Sequence, residues 1–274
     1  MTAPSALVED VRLALRSPIV PSEIARLADA GDYLDVVWPQ IRGVAETAGF
    51  VGSALYMTDM ALDAVEEVYE PVLTREALLA AGATEDGLDD LAAVIDVFHY
   101  TQPQVLLVCA ALAEAMGRES VGGYGKPDPR EASEREARHL AASVTFVSET
   151  TPPLPEVTEA LGLNVAPDLY RAVAAFPVYL GTAWEELQHL AAYPDFRRRG
   201  RGLYFYARSG ARFLPEPLHA DEAALREAGL SAGTIEKARA ALDESLPALA
   251  MMMMHAEAMR LSLGIAEREV VKKE

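Results

Sequence analysis

One cysteine, two tryptophans and a shortage of basic residues limit what this 274-residue chain can be. With Cys109 alone there is no disulfide framework, no Cys-x-x-Cys redox pair and no cysteine-rich zinc site. Its setting, QVLLVCAALAEAM, reads as that of a small buried hydrophobe. Lysine and arginine number 24 against 42 aspartates and glutamates, a formal net charge of −18. Such a surface repels nucleic acid and anionic membranes and excludes polyanion binding as a main role. The one basic cluster, Arg197, Arg198, Arg199 and Arg201, reads as a solvated turn. Two catalytic motifs are missing too. There is no His-Glu-x-x-His, and GGYGK lacks the spacing and the following Ser or Thr of a phosphate-binding loop. The longest apolar runs, QVLLVCAALAEAM and LPALAMMMMHAEAM, contain charge or proline and are short for a bilayer span. The opening MTAPSALVEDVRLALR carries acids early and has no long apolar centre, unlike a signal peptide. The expectation is a cytoplasmic protein with neither nucleic acid nor membrane as partner.

What is present points to helix. Hydrophobic residues make up 51% of the chain, and they recur at i, i+3, i+4 and i+7, most clearly in LDDLAAVIDVFHY and TIEKARAALDESLPALAMMMM. Met251 to Met254 fit a buried helix packed with flexible side chains. GLYFYARSGARFL can be read as a hairpin turning at Ser209-Gly210, but its first-half counterpart GSALYMTDMALDAV favours helix. The chain also echoes itself. PSEIARLADAGDYLDVVW (Pro21 to Trp38) matches PDLYRAVAAFPVYLGTAW (Pro167 to Trp184) without gaps, pairing the only two tryptophans. GATEDGLDDLAAVIDV and GLSAGTIEKARAALDE repeat a glycine, then a helix-capping Thr84 or Ser231, then an apolar helical pattern. The predicted fold is all-α, with two tandem helical repeats forming an intrachain pseudo-dimer. The first repeat is placed at residues 1–116 and a Gly-, Pro- and charge-rich linker at 117–145. The second repeat follows at 146–266 and a tail at 267–274.

Three constellations could carry chemistry. Glu136 with His139, and Glu186 with His189, are Glu-x-x-His pairs, and two such pairs are part of a di-iron carboxylate site. The spacing is common in a Glu-rich helical protein, and no metal is assigned. In VFHYTQPQVLL, hydrogen-bonding side chains His99, Tyr100, Thr101 and Gln102 gather where Pro103 is expected to break one helix and open the next. They could line a pocket or simply satisfy a joint between core helices. Asp168 follows Pro167 at a helix start. An acid there complements the helix dipole as an N-terminal residue, and with burial opposing the dipole it could instead serve as a base that activates water. Its counterpart in the first half is Ser22, so the acid is not a feature of both halves.

These residues resemble the group I, D- and L-specific 2-haloacid dehalogenases, the DehI family. VEDVRLALRSPIV is similar to that family's opening helix and Arg-x-Pro turn. VFHYTQPQVLLVCAALAEAM followed by VGGYG is similar to its Phe-Asn-Tyr-Gly-Asn-Pro segment, next helix and Val-Gly-Gly. PDLYRAVAAFPVYL resembles the segment bearing its catalytic aspartate. The resemblance covers nearly the whole chain. It implies two tandem helical repeats and a hydrolytic dehalogenase, without cofactor or metal, acting on a small-molecule carboxylate. Asp168 would deprotonate water, which attacks the α-carbon directly and expels halide, and Gln102, in place of the family's asparagine, would help hold that water. His99 and Tyr100 would lend supporting contacts. Other substrate-binding positions depart from the family: Ile19 and Ser22 stand where it has aromatics, Pro167 where it has serine, and Ser245 where it has tyrosine. These losses of ring volume predict a roomier pocket. An anionic substrate in an acidic protein needs local compensation, which helix N-termini near Pro21 and Pro167 could supply. The alternatives are a non-catalytic helical protein that binds small carboxylates on the same scaffold, and the di-iron protein. An exposed apolar stripe would support a homodimer.

Overall fold

The computed structural model describes residues 6–117 and 121–269; linker residues 118–120 and tail residues 270–274 lie outside the described residues. In chain order the helices are α1 (Ala6–Ala14), α2 (Ser22–Ala28), α3 (Tyr33–Ala45), α4 (Ala48–Glu66), α5 (Arg75–Ala80) and α6 (Glu85–Ala115), then α7 (Glu134–Ala141). They continue as α8 (Leu154–Leu161), α9 (Asp168–Val173), α10 (Pro177–Ala192), α11 (Pro194–Gly210), α12 (Glu222–Glu227) and α13 (Ala232–Ser262). Among the described residues there is no strand, only two isolated bridges, Thr47 with Pro129 and Val121 with Leu218.

The two longest helices form the centre. α6 and α13 are each 31 residues long. Each starts as its sequence predicts: Thr84 accepts the Gly87 N–H and Ser231 accepts the Thr234 N–H. Before each cap stands a glycine, Gly82 at φ +102° and Gly229 at φ +95°, a conformation that side-chain-bearing residues disfavour. Every residue from Val97 to Leu112 on α6 and from Met252 to Arg260 on α13 is buried. Helices without a polar stripe belong at the middle of a fold. α4 and α11 pack on both of them, while the short α2 packs on α13 and the short α9 on α6. The two short helices thereby bring their N-termini to the α6–α13 seam.

The structure departs from the sequence expectations at three places. Pro103 does not break a helix; it lies inside the continuous α6. The ring removes one N–H from the ladder, but the surrounding burial holds the helix together, and the Gln104 side-chain amide donates 2.9 Å to the Tyr100 carbonyl one position further on. The expected linker contains α7, which opens with a full capping box between Ser133 and Glu136. α6 is also long and apolar enough to cross a bilayer, which its sequence run did not suggest, and 83% of its most apolar stretch is buried inside the fold. GLYFYARSGARFL is helical, as its first-half counterpart suggested: α11 runs to Gly210 and passes into one 3-10 turn at Ala211–Phe213.

Candidate active site

Where α2, α6, α9 and α13 converge there is a small chamber. Its polar wall is Glu23, Thr101, Gln102 and Asp168, and its apolar wall is Ile19, Pro21, Phe98, Val105, Pro167, Leu249 and Met252. The space open to the centre of a water-sized sphere is about 20 Å³, enough for one water molecule. The predicted roomier pocket is not found. Phe98 and Val105 of α6 and Leu249 and the flexible Met252 of α13 close in on Ile19 from two sides.

Asp168 is the first residue of α9 and makes no side-chain cap to its own helix. Its Oδ2 instead accepts the Ser22 backbone N–H of α2 at 2.9 Å, and its Oδ1 lies 3.4 Å from Arg171 Nη1. The side chain is 11% exposed. Burial pushes its pKa up, the Ser22 N–H and Arg171 pull it down, and the net shift is upward. Asp168 is therefore a cap, of a neighbouring helix rather than its own, with a carboxyl held above its usual pKa.

Gln102 is buried on α6, and its Oε1 has no hydrogen-bond partner among the described residues. A buried acceptor left unpaired costs about 1–3 kcal/mol, which makes it a place where a water or a ligand is wanted.

Glu23 was not among the residues expected from sequence. An acid in the first turn of a helix reads as a solvated partner of the dipole. The internal echo held the missing signal: at the spacing that sets Ser22 against Asp168, Glu23 falls on Leu169, a fully buried position. Glu23 is 14% exposed, with Arg26 Nη2 3.7 Å from its Oε1. Burial, and then the charge of Asp168, raise its pKa to about 7.

The remaining expected residues divide. Ile19 and Pro167 line the chamber, and Ser22 acts on it through its backbone N–H. That N–H is already engaged by Asp168 and is not open to a further anion. Ser245 is buried on α13, one turn before Leu249, and does not line the chamber. His99 and Tyr100 are not brought to it either. Phe98, Thr101, Gln102 and Val105 have the i, i+3, i+4, i+7 spacing of one helix face, which turns residues 99 and 100 away. His99 Nδ1 lies 2.5 Å from Glu257 and Nε2 lies 2.8 Å from Glu269. Burial lowers its pKa but these two carboxylates outweigh that, and the net shift is upward. Tyr100 donates to Glu136 at 2.6 Å, and Arg130 bonds both.

Glu136 with His139 and Glu186 with His189 do separate work. Glu136 belongs to the Tyr100–Arg130 cluster and His139 Nε2 pairs with Asp96 at 2.9 Å, while Glu186 accepts the N–H groups of Val72 and Leu73. No group of three or more His, Cys, Asp or Glu side chains placed to hold a metal occurs among the described residues.

Outside the chamber, α8, α10, α11 and α13 frame a cleft of about 780 Å³ with an apolar floor; Met252 borders both spaces.

A protein-family model described as halocarboxylic acid dehydrogenase DehI matches residues 18–161. A curated relative from Alcaligenes xylosoxydans xylosoxydans, named 2-haloacid dehalogenase, configuration-inverting, is 32% identical over 123 residues, 42% of this chain and 38% of the relative. Another of that name, from Pseudomonas sp. (strain 113), is 28% identical over 196 residues, 66% of this chain and 61% of the relative. The matches thus span less than two thirds of either relative's length. A solved D-2-haloacid dehalogenase in complex with L-LA superposes with a TM-score of 0.86 over 95% of this chain and 93% of the other, at 18% identity. A mutant of a D-2-haloacid dehalogenase in complex with D-2-CPA does so with a TM-score of 0.82 over 95% and 92%, also at 18% identity. At that identity the likeness is one of fold.

Proposed function

The chain belongs to the DehI family, and from that membership we propose that it is a hydrolytic 2-haloacid dehalogenase in which Asp168 activates a water against C2 of a 2-halocarboxylate. The observation that carries this reading is the chamber itself: Asp168 and Gln102, whose buried Oε1 has no partner among the described residues, line one space with room for a single water. Such a water donates one hydrogen to the carboxylate and the other to the amide oxygen. Both its hydrogens are then held, and a lone pair is left to attack. As the new C–O bond forms and the C–halogen bond breaks, Asp168 takes the proton and halide leaves with the bonding electrons. One displacement inverts the carbon, and both curated relatives are named for inverting configuration. The raised pKa of Asp168 suits it to accept that proton.

The test is chloride release from racemic 2-chloropropionate and from longer 2-chloro acids, with a single turnover in ¹⁸O-labelled water. The label is expected in the hydroxy acid and not in the protein. No halide from any of these acids removes the reading.

A second reading, a carboxylate-binding protein that does not turn its ligand over, is favoured by one observation: the water-accessible space of the chamber, about 20 Å³, is small for a 2-halo acid. Stabilisation by small carboxylates in a thermal-shift assay, without product, distinguishes it.

The architecture is read as two tandem helical units, residues 1–116 and 146–266, joined by the 117–145 segment and followed by a tail at 267–274, closing as a pseudo-dimer around the chamber. Three spacings support this. Trp38 Nε1 donates to Asp10 and Trp184 Nε1 donates to Glu156, each pair 28 residues apart. Asp10 and Glu156, Trp38 and Trp184, and Ser22 and Asp168 all differ by 146 in number. α2 packs on α13 while α9 packs on α6, so each short helix reaches across to the other unit.

A further inference from the structure

A 2-halocarboxylate brings its own negative charge into a chamber that already holds two carboxyl groups. We propose that Glu23 binds the substrate as the neutral acid, donating its Oε–H to the substrate carboxylate while Asp168 alone is ionised. The inference rests on the carboxylate-substrate reading above and adds a specificity-determining residue to it.

Charge balance carries the argument. The cations near the chamber are Arg171, 3.4 Å from Asp168, and Arg26, 3.7 Å from Glu23 and shared at 3.7 Å with Glu244 of α13. Both are part-exposed and stand beside the two acids; the buried Arg26 Nε has no partner, yet with a substrate carboxylate in place two cations would still face three anions. One of the three acids must keep a proton. Asp168 has a fixed N–H donor at 2.9 Å that favours its anion. Glu23 has the looser Arg26 contact, its own N–H and the Ser22 hydroxyl, and these are outweighed by burial and by the facing Asp168. From α6 it faces Gln102 in the chamber, and the buried Cys109 thiol feels its charge. The proton therefore resides on Glu23. The leaving halide is the conjugate base of a strong acid and has no use for it. The substrate carboxylate does, and the O–H···O⁻ bond is of the short, charge-assisted kind. The unpartnered Gln102 Oε1 independently marks the same space as one that expects a polar guest. This also supplies an anion contact inside the chamber.

The test uses propionate, a carboxylate with no halogen to lose, in calorimetric titrations of the full chain from pH 5.5 to 8.5. Wild-type protein is expected to bind it with a dissociation constant that rises about tenfold per pH unit above about 7, with proton uptake that is near zero at about pH 5.5 and approaches one at about pH 8.5 when measured in buffers of differing ionisation enthalpy. Glu23→Gln, which donates from an amide at every pH, is expected to bind with no pH slope and no proton uptake over the same range. Glu23→Leu is expected to lose binding throughout. A wild-type affinity that is flat above pH 7, a slope that survives in Glu23→Gln, or no propionate binding at any pH overturns the inference. Halide assays separate it from the reading it rests on. Proton-linked binding without halide release keeps Glu23 and removes the displacement; halide release with Glu23-independent binding does the reverse.

Discussion

Asp168 accepts the backbone N–H of Ser22 at 2.9 Å across 146 residues of chain, the same spacing that relates the two tryptophan–carboxylate pairs. The acid thus bonds to its own counterpart in the echoed segment. Its counterpart is a serine, so the candidate site around it is single: one carboxylate, one amide, one water-sized space.

Asp168→Asn separates the two tasks of this residue. Asparagine still accepts the Ser22 N–H, so the melting temperature is expected to stay within a few degrees, while halide release falls by about a hundredfold to ten-thousandfold with the base removed. Asp168→Ala loses both tasks and is expected to lose about 1 kcal/mol of stability besides. Chloride assay and thermal melting on both variants check this. An Asn variant as active as wild type would remove Asp168 from the chemistry.

Gln102→Leu tests whether the amide is kept for function at the expense of stability. Its Oε1 is buried and unpaired; replacing the amide by a hydrocarbon of similar shape is expected to stabilise the fold by about 1 kcal/mol while halide release drops with the water no longer held. A loss of stability on substitution would mean that the amide has a structural partner.

The sequence located this site in part, and its failures have physical causes. Asp168 and Gln102 were legible because one opens a helix after proline and the other sits in a polar patch of an apolar helix. His99 and Tyr100 share that patch but not its phase: with Phe98, Thr101, Gln102 and Val105 on one face, they turn toward Glu257 and Glu136. Pro103 looked like a helix end because local propensity ignores what burial on every side can hold together. Glu23 was hidden because a first-turn acid is ordinarily solvated. The all-helical architecture was readable throughout, since capping residues and apolar period agree along the chain.

The polar cluster beyond α6 should govern acid stability. The pKa of Glu269 is held down to about 2: burial opposes this, but the His99 bond and Arg135 overcome it. A depressed carboxylate contributes stability that is present above its unfolded value of 4.5 and lost as pH falls through about 2. The pKa of His99 is raised, so its contribution is full below 6.5 and lost as pH rises through its folded value. Glu269→Gln is therefore expected to lower the melting temperature at pH 6, by the equivalent of about 1–3 kcal/mol, and to flatten the loss of stability between pH 4.5 and 2. An unchanged acid limb in thermal melts would show that the contact is not held in solution.

Met252 borders both the small chamber and the 780 Å³ cleft outside it, and this bears on which acids can enter. Methionine has three rotatable bonds and little preference among its rotamers, so it is the part of that wall most able to move. A chamber sized for one water admits a 2-halo acid only if a wall gives way, and a displaced Met252 would join the chamber to a cleft large enough for an extended chain. Met252→Ala is expected to cost about 2–5 kcal/mol in stability and to raise kcat/KM for 2-chlorohexanoate relative to 2-chloropropionate, because the longer tail gains the cleft and the shorter acid gains little. The ratio of the two kcat/KM values, measured below the melting temperature of the variant, is the deciding quantity. A ratio equal to that of wild type would assign the entry route to another wall, of which the turn bearing Ile19 and Pro21 is the next to test.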